Sequence, residues 1–172
     1  MNRLIKAFSL VSILLFLAAC GESIKTIEPA DGLFKISVSD QYQDIMDKKD
    51  AVVAVRLEGA PADNITLLQA KDGDIEKDII YAVTIELPEG VEISLPDFEQ
   101  VMNEQMNSIK EIVDFKVSPV KGHENQINYV AETNLNNSAY YEYCRIAVEK
   151  SITTICIGTI KDPKGAKSAI DS

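Results

Sequence analysis

The chain predicts an α+β fold: an antiparallel sheet of about six to seven strands flanked by helices, in an α/β/α sandwich. Three observations carry this. Residues 79–87 alternate Ile79, Tyr81, Val83, Ile85 and Leu87 with Ile80, Ala82, Thr84 and Glu86, the two-residue period of a long strand. An amphipathic helix over 95–113 follows Ser94. A run of strands and short turns then fills residues 115–160, the pattern of a meander.

The elements follow in order. Leu33, Phe34, Ile36 and Val38 make a short β-type run behind Asp31-Gly32. Ala51 to Leu57 (AVVAVRL) predicts a second strand, rich in β-branched residues and broken by Gly59-Ala60-Pro61. Ile65 to Ala70 predicts a third, and Asp72-Gly73 a tight turn, because both residues tolerate positive φ. The long 79–87 strand comes next. In the helix, Ser94 and Asp97 have the spacing of a capping box, and Pro96 is tolerated in a first turn. Phe98, Val101, Met102, Ile109, Ile112 and Val113 share one face, with Glu99, Asn103, Glu104, Asn107 and Lys110 opposite. Strands are predicted at 115–120, 127–133, 139–148 and 152–160, with turns at 121–124, 136–137 and 149–151. Asp162-Pro163 opens a terminal helix.

The first residues carry the strongest chemical signal. Arg3 and Lys6 precede an apolar run, Ala7 to Leu17, too short for the ~20 residues a spanning helix needs. Leu17-Ala18-Ala19-Cys20 closes it. Small residues suit a signal peptidase, and a cysteine directly after them is the acceptor of a lipoprotein's diacylglyceryl group. The expected organisation is a cleaved signal peptide at 1–19, the lipidated Cys20 with a tether to residue 30, and a single domain at 31–172. Two or more acyl chains hold a protein stably, at about 0.8 kcal/mol per buried CH₂. The extended tether would reach roughly 35 Å.

The leader holds two bases and no acid, so its removal moves the net charge from −10 to −12. That surface opposes nucleic acid and anionic headgroups and favours a basic partner. With Cys20 acylated, Cys144 and Cys156 remain. An oxidising compartment makes them candidates for a disulfide, and buried free thiols are the alternative. A three-residue loop at 149–151 would set them directly opposite; a two-residue loop would turn them to opposite faces. No metal site or cofactor is expected. His123 is the single histidine and falls in a turn, and no spacing points to a lysine or carboxylate base in its place, so no catalytic residue is assigned. Asp72, Asp74, Glu76 and Asp78 alternate, but positions 6 and 12 of a calcium loop would be Lys77 and Val83. Tyr129, Tyr140, Tyr141 and Tyr143 lie on neighbouring predicted strands, where cross-strand packing competes with a docking surface.

Lipobox, tether, opening Asp31-Gly32 strand, helix 95–113, Lys121-Gly122-His123 before a strand, and long closing hairpin together resemble the DcrB family of bacterial envelope lipoproteins. That family is similar to the PsbP subunit of photosystem II and to a Ran-binding nuclear import factor. The resemblance implies a PsbP-like α/β/α fold and a non-enzymatic docking or assembly role, associated with envelope integrity and phage adsorption. Two features depart from it. Gly21 stands after the lipidated cysteine where acidic residues are expected, which favours the outer membrane over the inner, and the hairpin cysteines are not a family feature. The expected partners are the membrane, through acyl chains on Cys20, and an unidentified envelope protein. The alternatives are a carrier holding a small apolar ligand in a cavity between sheet and helix, and an envelope hydrolase with a polar cleft.

Overall fold

Long runs rich in β-branched and aromatic residues form β5 (Ile79–Glu86), β8 (Ser138–Val148) and β9 (Ser151–Thr159), the centre of a seven-stranded antiparallel sheet ordered β3 (Tyr42–Asp44), β4 (Ile65–Lys71), β5, β9, β8, β7 (Gln126–Leu135), β6 (Ile112–Pro119). The computed structural model describes residues 23–29, 32–56, 62–135 and 138–171. The outer strands are β3 and β4 on one side, and β7 and β6 on the other. A separate ribbon pairs β1 (Ile24–Ile27) with β2 (Ile36–Ser39).

Both sheet faces are covered, so the central strands are buried on both sides. Ile79, Ile80, Tyr81 and Ala82 are consecutive and all buried. Each fully buried isoleucine contributes about 1.5–3 kcal/mol. One face packs Ile80, Ala82, Ala147, Ile155 and Ile157 against the ribbon and against α3 (Pro163–Asp171), through Ala166, Ala169 and Ile170. The other packs Leu68, Ile79, Tyr81, Cys144 and Cys156 against Ile45 and against Val52 of α1 (Lys49–Arg56). Farther along that second face, Ile127, Ile146 and Val148 meet Leu95, Phe98 and Met102 of α2 (Leu95–Ser108).

Local chemistry fixes the start of α2. The Asp97 N–H donates to Ser94 Oγ (3.2 Å), Ser94 Oγ–H donates to Asp97 Oδ2 (2.6 Å), and Pro96 sits in the first turn. In the β4–β5 connection, Asp72 and Gly73 take positive φ (56° and 70°), and Gly73 N–H donates to Ala70 O.

Three expectations are corrected, and one element is new. Residues 51–57 do not form a strand: Lys49–Arg56 is helical. Apolar residues occupy every position from Ala51 to Val55, so the segment has no alternation, and burial of Val52 decides it over β-branched propensity. The helix from Leu95 ends at Ser108, not 113. Ile109 is extended, and Ile112 and Val113 enter β6, where Ile112 pairs with Thr133. Val101 consequently stays 52% exposed. The tether to residue 30 contains a strand, β1, held because Ile27 and Pro29 are buried. Its reach shrinks accordingly: Ser23 is already tied by the Asp40 N–H (2.9 Å), which leaves at most about 11 Å from Cys20 to Ser23. Strand β3, three residues long, has no counterpart in the sequence reading.

Gly158 tests the packing of the second face. A Cβ there would lie 1.9 Å from Tyr140 Oη. Gly158→Ala should lower unfolding free energy by about 1–3 kcal/mol in urea titration, and adding Tyr140→Leu should recover part of it. An unchanged midpoint for Gly158→Ala would contradict the packing.

Candidate functional site

The predicted site residues fall in two places. Cys20 lies outside the described residues. Cys144 and Cys156 are central and fully buried. The β8–β9 register places them directly opposite, with Val148 paired to Ile152 across residues 149–151. Their Cα atoms are 4.1 Å apart and their sulfurs 2.00 Å apart, a disulfide.

Strand phase surrounds this bond with aromatic and acidic groups. Tyr81 pairs with Cys156 and Tyr129 pairs with Cys144, so a tyrosine stands on either side of the disulfide in one cross-sheet row. Glu142 and Tyr140 precede Cys144 by two and four residues and share its face. Tyr81 Oη–H donates to Glu142 Oε1, and Tyr129 Oη–H donates to the same oxygen at 3.4 Å. Tyr129 Oη also lies 3.6 Å from Cys156 Sγ, and the Phe115 and Tyr129 rings are 5.6 Å apart. Burial pushes the Glu142 carboxyl above the usual carboxylate range, and the two tyrosine hydroxyls offset part of that rise. Burial first, then the neighbouring Glu142, holds the Tyr81 and Tyr129 phenols well above their usual value.

This cluster has the spacing of a metal-ligand set, because Glu142, Cys144 and Cys156 offer atoms within 4.8 Å of one another. The sulfurs are bonded to each other, so the thiolates a metal would need are consumed. The four tyrosines do not form one surface. Tyr129 and Tyr140 face the disulfide side, whereas Tyr143 packs on the opposite core with Ile157. The acidic run also disperses. Lys77 Nζ bridges Asp72 (2.9 Å) and Asp74 (4.0 Å), while Asp78 is buried and accepts from the Ile160 N–H (3.4 Å). His123 sits exposed in the turn before β7.

A groove of about 540 Å³ opens elsewhere, between the β1–β2 ribbon, the start of α3 and the end of the sheet where β4 and β9 finish. Such a volume falls in the range of small-molecule sites. Its apolar lining includes Ile24, Val38, Tyr42 and Ile157, and its ionisable lining is Lys71, Asp78 and Asp162. Asp162 is held by α3 itself, since its Oδ1 accepts from Gly165 N–H (2.8 Å). A Cβ on Gly165 would lie 2.1 Å from Asp162 Oδ2, so glycine there lets the carboxylate fold back. Sequence reading missed the groove because five separated segments build it. It also missed Glu142, although its phase with Tyr140 and Cys144 was visible.

Two expected outcomes follow. Denatured under alkylating conditions, the protein should show no free thiol from Cys144 and Cys156, and Cys144→Ala with Cys156→Ala should cost at most about 3 kcal/mol; two reactive thiols before reduction would contradict the bond. Glu142 in the unfolded chain titrates near 4.5, and in the folded chain higher. Between those values the unfolded chain releases a proton that the folded chain keeps, so stability falls as pH rises through that window and levels above it. Glu142→Gln should remove that slope in urea midpoints measured from pH 4 upward, and equal slopes in both proteins would contradict the burial of the carboxyl.

No family model matches the chain, and comparison with curated proteins gives no match. Among solved structures it is similar to the Ran-binding protein Mog1p of Saccharomyces cerevisiae, at 12% identity and a TM-score of 0.48, over 81% of this chain and 78% of that one. A Mog1 point mutant is similar at the same identity and score, over 86% and 82% of the two chains. No functional property is carried over from a likeness of that size.

Proposed function

We propose that this chain is a DcrB-like lipoprotein of the bacterial envelope, acylated on Cys20, whose domain works without catalysis as a protein-interaction or assembly module facing the periplasm. The observation that carries this reading is Leu17-Ala18-Ala19-Cys20 behind a short apolar run with a basic front. The short reach from Cys20 to Ser23 supports it, because it would keep the domain against the bilayer. Among the described residues no helix is long and apolar enough to cross a membrane, which leaves membrane attachment to the lipid in this reading. Gly21 favours the outer membrane. The acidic mature surface favours a basic face on the envelope partner, and that partnership bears on envelope integrity. A second reading, a carrier of a small apolar ligand, has the groove beside α3 as its candidate seat, although that lining mixes charged groups with the apolar ones such a carrier needs.

Intact mass of the protein purified from bacterial membranes tests the anchor. The expected mass corresponds to residues 20–172 plus two or three acyl chains, and Cys20→Ser should lose the acyl mass and the membrane fraction together. A wild-type protein that is unacylated, or cleaved elsewhere, would sink the reading. Crosslinking in intact envelopes should recover a defined partner, and recovery of background alone would count against an assembly role.

A further inference from the structure

The geometry points to the groove beside α3 as a seat for a zwitterionic ammonium–phosphate headgroup, that of phosphatidylethanolamine in the membrane that holds the chain. The inference rests on the anchoring read above for its lipid source, and on the groove's own chemistry for its specificity.

Position comes first. Ile24 lines the groove and opens β1, and the chain preceding it back to Cys20 is only three residues long. Ile24 is 72% exposed, and Ile160, at the end of β9 beside Asp78, is 40% exposed. Ile24 is thus an exposed isoleucine in the groove's own wall, and Ile160, one residue past β9, is a second exposed isoleucine at the end of the sheet where the groove opens. Apolar side chains in that place suit the acyl boundary of a bilayer.

Charge selects the headgroup. Asp78 and Asp162 line the groove against a single lysine, Lys71. Asp78 is more than nine-tenths buried, and among the described residues its carboxylate accepts one long bond, from Ile160 N–H at 3.4 Å. An ionised carboxylate has about four acceptor positions, so Asp78 retains capacity for a donor entering the groove. A primary ammonium supplies three N–H donors at the carboxylates, and its phosphate pairs with Lys71. A quaternary ammonium has no N–H to give, and a glycerol headgroup has no positive charge. The apolar lining at Ile24 and Val38 then receives the start of the acyl chains.

The test uses the full chain purified from membranes, with its acyl state read by intact mass. It is titrated with dihexanoyl phosphatidylethanolamine, the choline and glycerol counterparts, and free phosphoethanolamine, following Ser37, Ser39 and Ser168 by NMR. The ethanolamine lipid should bind at least about tenfold more tightly than the choline and glycerol lipids, the size of one charge-assisted hydrogen bond. Asp78→Asn, which keeps an acceptor for Ile160, should abolish that preference, and Ser168→Leu, which fills the groove from α3, should abolish binding. Thermal melts confirm that both variants fold. Equal affinity for the three lipids, or binding unaffected by Ser168→Leu, overturns the proposal. Free phosphoethanolamine binding as tightly as the lipid overturns the membrane source. An unacylated protein that still prefers the ethanolamine lipid would overturn the anchor and leave the headgroup site standing.

Discussion

The register of the β8–β9 hairpin is the constraint on which the rest depends. Residues 149–151 lie between the last facing pair, Val148 and Ile152, and the pairing that results sets Cys144 opposite Cys156 and Glu142 opposite Gly158. Side chains on a strand alternate between faces, so a slip of one residue would send each of them to the other face. The observed register puts Tyr140, Glu142, Cys144, Ile146 and Val148 on one face, and Tyr143, Arg145 and Ala147 on the other. It therefore decides where α1 and α2 pack and where α3 packs. Gly158 completes the arrangement by leaving room for Tyr140.

The two faces then do different work. The disulfide face is a core in which the phenols of Tyr81 and Tyr129 both bond to the Glu142 carboxyl. Its chemistry is directed inward, toward stability. The α3 face opens at one end, where charged groups line a groove between the ribbon, the sheet and α3. Arg145 on this face is tied through Asn128 to Asp171, which fixes the far end of α3, while Asp162 caps its start. The helix is thus held at both ends beside an opening at its first turn.

The sequence makes some of this legible and hides the rest for physical reasons. β5, β7, β8 and β9 are long, rich in β-branched and aromatic residues and bounded by turns, so local pattern suffices. The Ser94 cap is equally local. α1 is hidden because its run of β-branched residues carries strand propensity, and burial of Val52 in the core it shares with Ile45 and Leu68 overrides it. β1 is hidden because IKTI is short and sits among polar residues, and its order comes from pairing with Ile36–Ser39. A candidate lipobox at Leu17-Ala18-Ala19-Cys20 is legible as contiguous sequence, and its processing is a proposal. The groove is not, since Ile24, Lys71, Asp78 and Asp162 come together only through the ribbon, the β4–β5 connection and the docking of α3.

The central claim is a domain held at a bilayer by its groove end, the end where β1 begins and β9 finishes. The 149–151 turn lies at the opposite end of β9, about 30 Å away for a nine-residue strand. Spin labels placed singly at Ile160→Cys and Lys150→Cys in the acylated chain, in vesicles carrying a lipid-bound nickel chelate, measure this directly. The account predicts strong relaxation at 160 and little at 150. Equal relaxation at both sites, or stronger relaxation at 150, would contradict it.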